Sequence, residues 1–380
     1  MDFSYSEDQQ AVKTLAEKIL GDQTENEHLK QIDTREDRFD EKLWQDLAEA
    51  GLLGVAVDEQ YGGMGFGFET LCLLVEEVGR TVAPVPVIPV LVSAALTLQK
   101  FADSGICEHY LPGVASGESL ISAAMLEPGN GDFAQPTSRA VEDAGSWRIT
   151  GHKQCVPFAH RASAILLSAQ TERGTAVFLL NLDPEADCPP GVSLNRQQVT
   201  AGEPQFELLL EQAEVTLVAE GEQAQGLLTW CFESTAAAFA AMAVGLCERM
   251  MRMTASYTSE RQQFGVAIAT FQAVGHQAAD CFIDIECLRL TTQQAISLLD
   301  REPDGELDAR EAVLIAKIWT GDVTHRVSQT AQQLHGGIGV DRDYPLWRYC
   351  LWARQIELSC GSSAELLATL GEDIAAQFTA

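Results

Sequence analysis

The sequence predicts an α+β multi-domain protein, with a helical block, a β-rich block and a second helical block in that order. Three observations carry this. Amphipathic helical periodicity fills the first stretch, short β-rich runs between turn residues replace it from Ser119 to near Val218, and long helical runs dominate after Gly226. Segregated blocks of this kind argue against an alternating α/β sheet. The domain limits read 1–118 (helical), 119–218 (β) and 219–380 (helical bundle).

In the first block, Ser6-Glu7-Asp8 starts a helix that carries Val12, Leu15, Ala16, Ile19 and Leu20 on one face. Leu43 to Ala50 is a second amphipathic segment, stopped by Gly51, and Tyr61-Gly62-Gly63-Met64-Gly65 is a turn cluster. Phe68 to Val82 is a third helix, ended by Ala83-Pro84-Val85-Pro86, and residues 90 to 118 are helical again. The β runs are Trp147 to Gly151, Ala164 to Ser168, Ala176 to Leu180 and Gln205 to Leu209, which fit a small antiparallel domain. The last block holds helical runs at Leu227 to Tyr257, Gln272 to Leu299, Ala309 to Leu334 and Ala364 to Phe378, with a Pro303-Asp304-Gly305 loop before the third. Ala236, Ala237, Ala238, Ala240 and Ala241 offer either room for a ligand or close helix packing.

Composition narrows the function. With 380 residues, 46% of them hydrophobic and 21% charged, the chain is globular and large enough for several domains. Fifty-five acidic against 25 basic residues give a formal charge of −30, which repels nucleic acid and anionic membranes. An anionic ligand must therefore be met by locally placed Arg, Lys or helix N-termini. No apolar run reaches the roughly 20 residues that span a bilayer. The start, Met1-Asp2-Phe3-Ser4, lacks a basic-then-apolar leader, and the expected setting is cytoplasmic, with neither nucleic acid nor membrane as partner. Ten cysteines include no CxxC pair, and Cys281 and Cys287 are six apart on a helix, pointing to different faces. They read as reduced thiols packed as small apolar groups, and no metal site is expected.

Motifs distributed along the whole chain carry a resemblance. They are Leu52-Leu53-Gly54-Val55-Ala56-Val57 followed by Asp58-Glu59-Gln60-Tyr61-Gly62-Gly63, then Met125-Leu126-Glu127-Pro128-Gly129, Tyr257-Thr258-Ser259-Glu260-Arg261-Gln262-Gln263-Phe264-Gly265, Gln333-Leu334-His335-Gly336-Gly337-Ile338-Gly339 and Asp343-Tyr344-Pro345. In this order and spacing the chain resembles the acyl-CoA dehydrogenase family. The resemblance implies an N-terminal α-helical domain, a middle antiparallel β domain and a C-terminal four-helix bundle. It also implies FAD as cofactor, α,β-dehydrogenation of an acyl-CoA thioester, an oligomer of at least two chains and an electron-transfer protein as acceptor.

By that resemblance, Arg261, Phe264, Gln272, Gln333, Gly336 and Gly337 reach across an interface to the ADP portion of a neighbour's FAD. The chemistry suits the assignment. Arg offers a rigid fork of donors to a pyrophosphate, and paired glycines let backbone N–H groups approach an anion. Arg261 and Phe264, three residues apart, are expected on one face near the C-terminal end of a helix.

The same resemblance exposes departures. Where the family uses a Thr hydroxyl on the flavin, this chain has Leu126, which has no hydrogen-bonding group. The next turn is Gly131-Asp132-Phe133, without the family's Ser. The Trp-Ile-Thr segment of the family is here Cys155-Val156-Pro157, so the aromatic wall becomes a thiol and the donor a proline with no N–H. The catalytic base of the family is a Glu before Gly-Thr, and here Cys360 stands before Gly361-Ser362-Ser363. An earlier site used by other members aligns with Thr235 and Ala236, neither of which is a base. Glu233 is about 200° around the helix from Thr235 and should face away. Glu357, one turn from Cys360, is a further candidate carboxylate.

Three readings follow. The chain is a subunit of a heteromeric dehydrogenase, of the kind that acts on bulky sterol-derived CoA esters, keeping the clamp and lacking the base. Alternatively, it is a stand-alone homo-oligomeric dehydrogenase with an unusual base at Cys360 or Glu357. In the third reading it is a flavin-dependent monooxygenase on the same fold, with His160 and Arg161 as the residues to watch and a solvated turn as their plain alternative.

Overall fold

The computed structural model describes residues 5–300 and 309–377. The start at Met1 to Ser4, the Pro303-Asp304-Gly305 loop and Phe378 lie outside the described residues. The chain divides into two compact units: one of residues 35–67 and 84–235, the other of residues 1–34, 68–83 and 236–380.

The first unit is organised by a seven-stranded sheet in the order β1-β4-β2-β3-β7-β5, with β6 on β7. The strands are β1 (Leu120–Ala124), β2 (Arg139–Asp143), β3 (Ser146–Pro157), β4 (Ala162–Thr171), β5 (Gly174–Asn181), β6 (Val192–Gln197) and β7 (Gln205–Glu220). An additional β4–β5 pairing closes the path into a ring, so the inner strands have no open edge. The sheet is mainly antiparallel, as expected, and the exceptions are β1, which runs parallel to β4 with Ile121 beside Ala164, and a single parallel pair between β2 and β4. Strands β1, β2 and β6 carry no marked alternation in sequence, and pairing to longer neighbours defines them. Ile149, Ile165, Leu167, Phe178 and Leu208 fill the interior. In the same unit lie α3 (Glu41–Glu49), a π-helical stretch at Ile88–Leu96 that runs on into α5 (Thr97–Phe101), and α6 (Ser104–Ala115).

The second unit is helical. Helix α1 (Glu7–Gln23) opens with a capping box, in which Gln9 N–H donates to Ser6 Oγ at 3.2 Å and Ser6 N–H to Gln9 Oε1 at 2.9 Å. Val12, Ala16 and Leu20 are its buried face, while Leu15 is 38% exposed and falls off the expected stripe. Helix α2 (Asn26–Asp33), unmarked in sequence, buries only Leu29 and Ile32. Then come α4 (Gly67–Thr81), α7 (Glu222–Glu260, which begins in the sheet unit), α8 (Gln272–Asp300), α9 (Ala309–His335), α10 (Leu346–Leu358) and α11 (Ser363–Gln377). Helix α10 is an addition to the four long helical runs read from sequence. Its buried positions include Arg348, so its apolar pattern is broken.

Helix α7 is long and apolar enough to cross a bilayer, contrary to the sequence expectation, yet 72% of its most apolar window is buried inside the protein. It is a core helix. The alanines at 236, 237, 238, 240 and 241 are all buried. Just beyond them, a Cβ on Gly245 would collide with the Glu76 carbonyl, and one on Gly79 with the Met242 carbonyl. Close packing of α4 on α7 is therefore what this small-residue region serves. A charged cluster ties α8 to the same pair: Arg80 meets Glu76 at 2.7 Å and Glu248 at 2.6 Å, and Arg289 meets the same two carboxylates at 3.2 and 3.1 Å.

Candidate cofactor clamp and the altered flavin positions

The first clamp motif leaves the helix earlier than expected. Helix α7 ends at Glu260, and Arg261 leads into a hairpin of β8 (Gln262–Gln263) and β9 (Val266–Ala267). The two turn residues, Phe264 at φ 54° and Gly265 at φ 82°, both adopt the left-handed conformation that a two-residue hairpin of this type requires. Arg261 and Phe264 therefore do not share a helix face. Phe264 stands at the hairpin tip, 94% exposed. The hairpin is anchored at its base, where Arg261 N–H donates to Tyr257 O and Ile268 N–H donates to Arg261 O, both at 2.8 Å. Phe264 packs edge-on against Phe271 at 6.3 Å, and Gln272 is the first residue of α8. Arg261 and Gln272 are exposed.

The second motif ends α9. Gly336 takes φ 62°, which stops the helix, and Gln333, Gly336 and Gly337 are exposed. A Cβ on either glycine would meet nothing within 4 Å, so the space over this backbone is open to a ligand. The motifs are joined by His335, whose ring stacks on Tyr257 at 4.6 Å. Arg261, Gln272, Gln333, Gly336 and Gly337 thus all lie exposed within one unit.

The positions expected at the flavin ring are on the sheet unit. Leu126 is 41% exposed, and its carbonyl accepts from Gln154 N–H at 3.0 Å. Cys155 sits at φ 53° and Phe158 at φ 52°, on either side of Val156-Pro157, and the β3–β7 register shifts between Lys153 and Val156. This bulge re-aims the segment. Cys155 N–H is taken by Gln197 Oε1 at 2.7 Å, Pro157 O by the Ser122 hydroxyl at 2.5 Å, and burial pushes the Cys155 thiol pKa up. Asp132 is absorbed in its own turn, accepting from Ala134 N–H at 3.0 Å, and Phe133 packs on Phe232 at 5.1 Å. None of the three side chains Leu126, Cys155 and Pro157 offers a strong donor to a flavin ring.

The same region contains a buried ion pair that the sequence reading missed. Lys153 Nζ lies 2.7 Å from Glu127 Oε1, with both side chains essentially inaccessible. Glu127 also accepts from the backbone and hydroxyl of Thr137, both at 2.5 Å, and of Ser138, at 3.0 and 2.6 Å. Burial works to raise its pKa, but the Lys153, Ser138 and Thr137 hydrogen bonds outweigh that and hold it at about 2. The charges are 26 residues apart. The turn that follows β1 brings Glu127 over β3, where Gln154 N–H donates to Leu126 O.

At the position of the family base, Cys360 follows the end of α10 at φ 57° and is half-buried. Gly361 follows at φ 95°, and Ser362 caps α11, with its N–H donating to Glu365 Oε2 at 2.9 Å. Beneath this turn lies a cation absent from the local sequence. Lys317, fully buried on α9, donates from Nζ to Glu357 O and Gly361 O, each at 3.3 Å. Burial lowers its pKa to about 8, against the opposing pull of Cys360 and Glu357. The Glu357 carboxylate is held by Arg354 Nη1 at 2.6 Å, and the same guanidinium nitrogen donates to His325 Nδ1 at 2.6 Å. Thr235 exchanges a 2.8 Å hydrogen bond with Ser93, and Glu233 is buried.

His160 and Arg161 lie in a short turn (Ala159–Arg161). Arg161 pairs with Asp37 at 2.6 Å. The plain alternative of a solvated turn does not hold for His160, which stacks on Phe206 at 4.8 Å with neither ring nitrogen hydrogen-bonded. Burial lowers its pKa to about 4.

Residues 6–118 match the acyl-CoA dehydrogenase N-terminal domain and residues 225–375 the acyl-CoA dehydrogenase C-terminal domain. The chain belongs to the acyl-CoA dehydrogenase family, whose members are FAD-dependent flavoproteins. It is 32% identical over 381 residues to acyl-CoA dehydrogenase FadE27 of Mycobacterium tuberculosis, covering 99% of both chains. Among solved structures it is similar to a Tcur3481-Tcur3483 steroid ACAD, with TM-score 0.91 and 38% identity over 98% of this chain and 99% of that one. It is similar also to the ChsE4-ChsE5 complex of Mycobacterium tuberculosis, with TM-score 0.91 and 32% identity over 99% of each chain.

Proposed function

We propose that this chain is the clamp-bearing subunit of a heteromeric acyl-CoA dehydrogenase and that it completes a partner subunit's FAD site. One observation carries the reading: the residues suited to ADP are exposed and preorganised, while Leu126, Cys155, Pro157 and Cys360 supply neither the flavin-ring donors nor the base. The similarity to the ChsE4-ChsE5 complex and to a steroid ACAD supports a two-chain assembly acting on a bulky, sterol-type acyl-CoA thioester. FAD, when bound, supplies the acceptor for the hydride leaving the substrate β-carbon. In this reading the base that takes the α-proton belongs to the partner. Arg261 would hold the pyrophosphate together with the Gly336–Gly337 backbone N–H groups, and Gln272, Gln333 and Phe264 would border the ADP. A cytoplasmic setting and an electron-transfer protein as acceptor accompany the proposal.

The test is flavin content and turnover. Purified alone, the chain should carry little FAD. With its partner, the assembly should carry FAD, Arg261→Ala should strip it, and Cys360→Ala should leave turnover within about twofold. Phe264→Ala should weaken FAD retention roughly tenfold with no change in the chain's own stability, because an exposed side chain contributes within about 0.5 kcal/mol to folding. A full FAD complement in the lone chain, with turnover abolished by Cys360→Ala, would overturn the proposal. It would favour the stand-alone reading, for which Lys317 beneath Cys360 is the supporting observation.

A further inference from the structure

His335 lies inside the second clamp motif and is only 3% exposed, so it cannot itself reach a ligand. Its hydrogen bonds define its state. Nδ1 is 2.8 Å from Ala331 O, and a carbonyl only accepts, so the ring proton is on Nδ1. In the neutral ring, which burial favours, Nε2 is then an acceptor, and the Tyr344 hydroxyl at 3.0 Å donates to it. Its face is stacked on Tyr257 with the planes 19° apart. One imidazole thereby touches the last turn of α7, four residues before Arg261, and immediately precedes Gly336.

Tyr344 is held in turn by α2. Asn26 Nδ2 donates to Asp343 O at 3.0 Å, and Lys30 pairs with the Asp343 carboxylate at 2.9 Å. Arg348, just beyond, pairs with Asp33 at 2.7 Å and donates to Asn26 Oδ1 at 3.2 Å. The loop carrying Tyr344 is therefore braced on α2 on both sides of Tyr344, whose hydroxyl donates to His335.

We propose that His335 is a positioning residue for the cofactor: with Tyr257 and Tyr344 it locks the ends of α7 and α9 together, so that Arg261 and the Gly336–Gly337 turn meet the same pyrophosphate. The inference rests on the clamp reading above. It separates from general structural support because Tyr344→Phe removes one hydroxyl and no packing volume.

The experiment uses the assembly with its partner chain and measures the FAD dissociation constant, alongside the melting temperature of this chain alone. Tyr344→Phe should raise the dissociation constant about five- to tenfold, as expected for one lost hydrogen bond, with the melting temperature within a few degrees of the parent. His335→Phe, which keeps an aromatic ring against Tyr257 but loses both hydrogen bonds, should weaken FAD further. If His335→Phe does not fold, Tyr344→Phe decides alone. Parental FAD affinity in Tyr344→Phe, or a loss of melting temperature without loss of FAD, overturns the proposal, provided Arg261→Ala releases FAD. If Arg261→Ala also retains FAD, the clamp reading itself fails, and this inference with it.

Discussion

Replacing Lys153 by Met tests the buried pair in the sheet unit. The substitution keeps length and apolar volume but leaves the Glu127 carboxylate in a site where it is 2% exposed. Removing one member of a buried ion pair costs about 3–5 kcal/mol, because the remaining charge stays desolvated. Glu127 keeps its donors from Thr137 and Ser138, which places the expected cost near the lower end, about 3 kcal/mol. For a unit of about 150–250 residues, each kcal/mol moves the melting temperature by about 2–4 °C, so calorimetry at pH 7 should show a fall of roughly 6–12 °C.

The pH dependence supplies the second arm. The folded-state pKa of Glu127 is depressed to about 2, so its stabilisation is present above the ordinary carboxylate pKa of 4.5 and is lost as pH falls toward 2. Parent and Lys153→Met should therefore converge across that window. A fall under about 2 °C at pH 7, or a deficit that stays constant down to pH 3, would refute the assignment of this stability to the pair.

Two further outcomes follow from the geometry. His160 is held neutral by burial, with a pKa of about 4 against 6.5 in the unfolded chain, so the unfolded state binds the proton more readily and stability falls as pH drops from about 6.5 to 4. His160→Phe, stacked on Phe206 in the same slot and losing no hydrogen bond, should remove that acid dependence and leave stability at pH 8 unchanged; a variant with the parental pH profile would show the dependence lies elsewhere. Gly245→Ala should destabilise by about 1–3 kcal/mol, because its Cβ meets the Glu76 carbonyl, which cannot swing aside as a side chain can. Gly226→Ala, whose Cβ would meet only Phe101 at 3.6 Å, is the control and should be neutral or stabilising; equal melting temperatures for the two variants would falsify the close-packing account.

Helix positions were legible where local patterns are strong. The Ser6 helix start and the long α7 and α8 runs are written in neighbouring residues, and the structure realises each. Helix α2 and strands β1, β2 and β6 were not legible. Their short lengths carry too few buried positions to set a period, and contacts with distant segments define them. The clamp motif shows the same limit at closer range. Spacing alone put Arg261 and Phe264 on one helix face, but the left-handed pair Phe264-Gly265 turns the chain back into a hairpin after Glu260.

The sequence by itself determined the family, the order of helical, β and helical blocks, the candidate clamp residues and the substitutions at Leu126, Cys155, Pro157 and Cys360, because each is a matter of residue identity at a recognisable spacing. Only the tertiary structure decided which charges meet. Lys153 on Glu127, Lys317 beneath the Cys360 turn and Tyr344 on His335 join residues whose side chains are brought within hydrogen-bond distance by tertiary packing, and in those buried settings desolvation and the partner together set whether a group is charged and what it can hold in place.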